Sequence, residues 1–119
     1  MTGMLLMLAG AGLNGLADAA FARLSPPAVD GVILGVGTCT TDTMRVVTSG
    51  DGPFTYAWSL VEGDDGWTIA DEDGVETSFS FPLQIHGDIR MAVFQVVVTG
   101  PGGTSTLSGQ ARARSTSTF

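Results

Sequence analysis

Two periods of hydrophobicity divide the chain. Between residues 13 and 24 the apolar side chains Leu13, Leu16, Ala17, Ala20, Phe21 and Leu24 fall at i, i+3, i+4, i+7, i+8 and i+11, which places them on one face of an α-helix. Asn14 reads as its N-cap and Ser25-Pro26-Pro27 as its stop, because a proline disfavours helical backbone in the residue before it. A helix of this length spans only ~16 Å and is marginal alone, so it has to lie against another surface.

Beyond the prolines the period changes to two, and turn signals recur at intervals suited to strands. Val32–Val36 and Met44–Thr48 come first, and Ser49-Gly50-Asp51-Gly52-Pro53 closes the second of them, a turn cluster of φ-permissive and φ-fixed residues. In Phe54–Val61 the side chains of Phe54, Tyr56, Trp58 and Leu60 share one face, the pattern of a half-buried strand. Trp67–Ala70 is a short strand in an acidic region, and Val75, Thr77, Phe79 and Phe81 alternate until Pro82, which is expected to end their strand. Ile89–Thr99 is the longest run, with Ala92, Phe94, Val96 and Val98 on one side, and Gly100-Pro101-Gly102-Gly103 closes it. Thr104–Ala113 is a weak strand of small residues expected at a sheet edge. With no helical pattern among them, these seven strands predict an all-β fold, a two-sheet antiparallel sandwich preceded by a short apolar N-terminal helix. Trp58 is the core residue whose loss is expected to hurt folding most.

The chain has 119 residues, 44% hydrophobic and 14% charged, enough apolar material for one domain with a real core. Three parts follow: an apolar, Gly-rich segment 1–27, a sandwich 28–114 and a tail 115–119. The single cysteine excludes an intrachain disulfide scaffold. Twelve carboxylates face five arginines and no lysine, a net charge of -7, which repels phosphate and argues against nucleic-acid binding.

The N-terminal segment carries no charge before Asp18 and so lacks the positive opening of a secretory signal peptide. Gly10, Gly12, Asn14, Gly15 and Asp18 interrupt it before the ~20 apolar residues that a membrane crossing needs. It is expected to be a retained docking element rather than a span. Met4, Leu5, Leu6, Met7 and Leu8, with the Leu13, Leu16 and Phe21 face, form the expected interaction site, since a small sandwich has little room for a second apolar element.

The candidate chemistry is sparse. Gly10-Ala11-Gly12-Leu13-Asn14-Gly15 matches the dinucleotide fingerprint literally, but no βαβ unit follows to complete such a site. Glu62, Asp64, Asp65, Asp71, Glu72, Asp73 and Glu76 crowd together, and Asp71-Glu72-Asp73-Gly74 begins like a calcium loop. Ile69 and Ser80 occupy positions where such a loop needs carboxylates, so a solvated acidic surface is expected. His86 is the only histidine, which leaves a triad no other base and denies a zinc site two imidazoles from one chain. Cys39 has no basic neighbour and reads as a small core residue. Arg112 and Arg114 are the only positive local patch. The expectation is a protein without catalytic activity, cofactor or metal.

Gly52-Pro53-Phe54-Thr55-Tyr56-Ala57-Trp58-Ser59, then Thr77-Ser78-Phe79-Ser80, then Phe94-Gln95-Val96-Val97-Val98-Thr99-Gly100-Pro101-Gly102-Gly103 resemble immunoglobulin-like and PKD-like domains, in particular the small versions in tailed-bacteriophage virion proteins. The resemblance covers residues 28 to 112, and its motifs are specific for a fold rather than an activity. Val46 and Val96 stand where antibody domains keep their paired cysteines, so the chain resembles the cysteine-free branch. The resemblance implies a virion structural protein, tail-associated or head-decorating. Its partners would be tail, neck or capsid subunits and further copies of itself, with a host-surface glycan as a possible ligand. The alternative is a carbohydrate-binding or adhesion module of a bacterial surface protein, with Tyr56, Trp67 or Phe119 as a stacking platform.

Overall fold

The computed structural model describes residues 21–116, and these fold into ten strands packed in two layers. In chain order they are β1 (Ala22–Ser25), β2 (Ala28–Leu34), β3 (Gly37–Thr40), β4 (Met44–Thr48), β5 (Thr55–Glu62), β6 (Thr68–Ile69), β7 (Glu76–Thr77), β8 (Phe79–Leu83), β9 (Ile89–Gly100) and β10 (Gly103–Thr116). One layer is the four-stranded sheet β2-β10-β9-β5. The other consists of β1-β4-β7 and β3-β8-β6.

The facing layer is split where two strands pause together. β3 and β4 are separated by Thr41-Asp42-Thr43, and β7 and β8 by Ser78 alone. Thr41 bridges the pause. Its backbone N–H donates to the Phe79 carbonyl at 2.8 Å, and its hydroxyl accepts from the Phe79 N–H at 3.1 Å while donating to the Asp42 carbonyl at 2.8 Å. A buried side chain thus replaces a missing ladder bond and satisfies the Phe79 N–H.

The all-β sandwich expected from the sequence is present, with several corrections. Residues 22–25 pair antiparallel with β4, so the expected helix does not extend through Leu24; its residues up to Ala20 lie outside those described. Ala22 is buried and Leu24 packs against the core, whereas Arg23 is exposed. That alternation is a strand's, and only Leu24 also falls on the helical face. Ser25-Pro26-Pro27 does stop an element, but that element is β1, and the link carries the chain from one layer to the other. The expected Val75–Phe81 strand is two strands, and β3 is an addition.

Two further expectations fail for reasons of backbone pairing. β10 is not an edge strand: it pairs parallel with β2 on one side and antiparallel with β9 on the other, and at 14 residues it is longer than β9. Its small inward residues, Ala111 and Ala113, let the layers approach. Pro82 does not end β8, which runs to Leu83. β6 meets β8 only at Ser80 and Phe79, so the position of Pro82 lies past its end, where no ladder bond is lost.

The core is an aromatic column between the layers. Phe79 and Phe94 stack at 3.9 Å with rings 18° apart, Trp67 meets Phe94 edge-on at 5.7 Å, and Trp58 meets Phe79 at 5.9 Å. Val46 on β4 and Val96 on β9 are buried among them, as is Cys39. At Gly31 a methyl would come within 2.5 Å of the Thr40 carbonyl oxygen, whereas at Gly109 it would meet the end of the Met44 side chain at 2.6 Å. Backbone cannot yield, but a thioether can. Gly31→Ala is therefore expected to cost about 1–3 kcal/mol, and Gly109→Ala distinctly less, in urea denaturation of the two variants. Equal costs would contradict the asymmetry.

Candidate interaction surfaces

Of the residues expected to form the interaction site, Met4 to Leu8, Leu13 and Leu16 lie outside those described, as do the glycine fingerprint and Phe119. Phe21 is described, and it packs on its own domain, with its ring stacked on Phe54 at 6.1 Å. Those two rings, with Ser49, Gly50, Asp51 and Gly100-Pro101-Gly102, line a recess of about 220 Å³. Among the described residues no helix is long and apolar enough to cross a membrane.

The residues singled out for other chemistry fall into ordinary structural places. His86 is exposed in the loop before β9. Cys39 is fully buried opposite Phe81. Among the described residues, no three carboxylate, histidine or cysteine side chains come together as a cation would require. Trp67 is buried at 7% exposure between Phe81 and Phe94, so it cannot be a sugar-stacking platform. Tyr56 is half-buried on the inward face of β5.

The acidic loop is more ordered than its composition suggests. The Asp71 N–H donates to the Thr77 hydroxyl at 2.8 Å, the Asp71 carboxylate accepts from the Asp73 N–H at 3.3 Å, and the Gly74 N–H donates to the Asp71 carbonyl at 3.4 Å. Trp58 fastens this turn to β5 twice: its indole N–H donates to the Gly74 carbonyl at 2.8 Å and its backbone N–H to the Glu72 carbonyl at 2.9 Å. The fastening leaves Glu72, Asp73 and Val75 exposed at the β5 margin of the four-stranded sheet. Neither Glu72 nor Asp73 has an ion-pair partner among the described residues.

At the opposite margin, the outward face of β2, β10 and β9 carries a different surface. Pairing aligns Val32, Arg114 and Ile89 in one cross-strand row and Asp30, Arg112 and Met91 in the next. Alternation fixes their direction, since Ala111, Ala113 and Ser115 point inward. Val32, Leu34, Ile89 and Met91 are 51–66% exposed. Arg112 is neutralised by Asp30 through two bonds of 3.0 Å from Nε and Nη2. Arg114 has no carboxylate partner among the described residues, and its Nε is buried without a hydrogen-bond acceptor.

This end of the face is held by a small polar knot. The Ser115 hydroxyl donates to the Gly35 carbonyl and accepts from the Gly87 N–H, the Gly35 N–H donates to the Thr116 carbonyl at 3.0 Å, and the Ser115 N–H donates to the Asp88 carbonyl at 2.9 Å. Nearby, Arg90 lies over the Phe81 ring at 5.5 Å and donates to Asp88 at 2.8 Å and to Asp64. The bond to Asp88, then that to Asp64, pushes its guanidinium pKa further up and keeps it charged. The sequence reading identified Arg112 and Arg114 as a positive patch but not the aliphatic frame, which depends on strand register.

No protein-family model matches the sequence, and no curated protein sequence does. Solved structures do match. A PapD-like domain of human CEP192 superposes with a TM-score of 0.66 at 12% identity, over 82% of this chain and 87% of that domain. A protein of unknown function from Porphyromonas gingivalis W83 gives 0.59 at 11% identity over 82% of this chain, and the Vibrio cholerae VesB protease gives 0.51 at 10% over 72%. The chain spans 49% of the length of the first of these two bacterial proteins and 31% of the second. At such identities the likeness is one of architecture, and fold does not carry activity with it. The described residues form an immunoglobulin-like β-sandwich, similar to a PapD-like domain.

Proposed function

We propose that this protein is a non-enzymatic structural protein of a tailed-phage virion, attached through Met4 to Leu8 with Leu13 and Leu16, and presenting its immunoglobulin-like domain outward. The observation that carries the reading is the division of apolar material along the chain. Sixteen apolar side chains between Ala22 and Ala113 already fill the core, and Phe21 and Leu24 pack against it. The apolar run 4–16 is additional to that set, and apolar surface in water favours a partner. Tail, neck or capsid subunits are the partners this reading requires, and repetition by particle symmetry would let weak single contacts add up. The alternative of a carbohydrate-binding or adhesion module loses one of its three candidate platforms, Trp67, to the core.

The test compares the full-length chain with one beginning at Ala20, which keeps β1 whole. Full-length protein is expected to sediment as an associated species, and the shortened chain as a folded monomer with the same strand signature in circular dichroism. Two equally soluble monomers would remove the attachment role of the N-terminal segment.

A further inference from the structure

The two margins of the four-stranded sheet are complementary. At one, Arg114, without a carboxylate partner among the described residues, stands in a frame of exposed aliphatic side chains, Val32, Leu34, Ile89 and Met91. At the other, the carboxylates of Glu72 and Asp73, without a cationic partner among the described residues, lie near exposed Val75 on a turn that Trp58 holds in place. Arg114 lies level with Ile89 at the start of β9, whereas the turn is fastened at Trp58, which pairs with Val96 seven residues further along β9, a separation of about 23 Å at ~3.3 Å per residue, so the two surfaces do not meet within one molecule. We infer that the Arg114 face binds the Asp71–Glu76 turn of a second copy of this chain, in a head-to-tail contact.

Three features select this occupant. Arg114 has no carboxylate partner among the described residues, and the guanidinium fork of an arginine matches carboxylate geometry. The turn is already ordered, so little conformational freedom is lost when it docks. A face-to-face pairing of two identical Arg114 faces would instead oppose two cations. Because different surfaces meet, the contact is heterologous and propagates into a ring or a filament. The inference is independent of the N-terminal attachment reading, as it uses only residues of the sandwich.

The test is sedimentation of the full-length chain across a concentration series, with charge reversals at each margin. Wild type is expected to associate as its concentration rises. Arg114→Glu alone, and Glu72→Arg with Asp73→Arg alone, are each expected to weaken association at least about ten-fold, which corresponds to about 1.4 kcal/mol. Mixing the two variants should restore it, because each then offers the other an opposite charge. Circular dichroism should show both variants folded, as Glu72 and Asp73 are exposed and Arg114 stands on the outward face of β10. A wild type that stays monomeric throughout overturns the proposal, and so does a mixture that fails to recover. Association undiminished in Arg114→Glu but lost in the chain beginning at Ala20 also overturns it and leaves the N-terminal reading standing. Association lost in Arg114→Glu but kept in the chain beginning at Ala20 supports it. Binding of a foreign acidic peptide by a wild type that remains monomeric assigns the face to another occupant and overturns it.

Discussion

Trp58→Ala is expected to destabilise the domain by about 3–5 kcal/mol, a large part of the 5–15 kcal/mol that separates typical native domains from their unfolded chains. Two roles coincide in this side chain. Its ring is buried to 4% exposure and packs edge-on to Phe79, so truncation removes apolar burial and leaves a cavity. Its indole N–H also donates to the Gly74 carbonyl, so truncation unties the acidic turn from β5. Trp58→Phe separates the roles: it keeps most of the ring and loses the bond, with an expected cost of about 1–2 kcal/mol. Urea denaturation measures both variants. Amide exchange at Asp71, Asp73 and Gly74 should rise in each, because the turn loses the same tether. If Trp58→Phe left exchange there unchanged, the indole bond would not be what orders the turn.

The parts of the fold legible in the sequence are those where large side chains alternate. β5 and β9 have one face of Tyr56, Trp58 and Leu60 and one of Ala92, Phe94, Val96 and Val98, and a register slip there would put aromatic rings in water. β1 was illegible because Leu24 belongs to two periods at once: it alternates with Ala22 in the strand, and it also continues the helical series of Ala17, Ala20 and Phe21, which the preceding apolar residues extend. β3 offers a single apolar side chain, Cys39, among glycine and threonines. The central place of β10 is a matter of backbone hydrogen bonds on both sides, and its alanines and serines carry little hydrophobic signal. For the same reason the Arg114 face could not be read from the chain. Val32 and Ile89 are far apart in sequence, and only the paired registers of β2, β10 and β9 place them on either side of Arg114.

Phe94→Ala is expected to cost about 3–5 kcal/mol, which places it beside Trp58→Ala rather than below it. The sequence makes Trp58 the more prominent of the two, but Phe94 has 0% exposure and touches both neighbours in the aromatic column, stacked on Phe79 at 3.9 Å and edge-on to Trp67 at 5.7 Å. Removing it opens a cavity between the layers at mid-strand, where β9 is paired on both sides and cannot shift to refill the space. Trp67 loses one wall of its site, so the near-ultraviolet circular dichroism of the variant should fall in native buffer, before any unfolding. The Phe79–Phe94 pair can be weighed separately. Phe79→Leu and Phe94→Leu, alone and together, should show a coupling of about 0.5–1.5 kcal/mol. Additive costs would reduce the stack to burial alone. A Phe94→Ala protein as stable as wild type would mean that the two layers are not joined through this column.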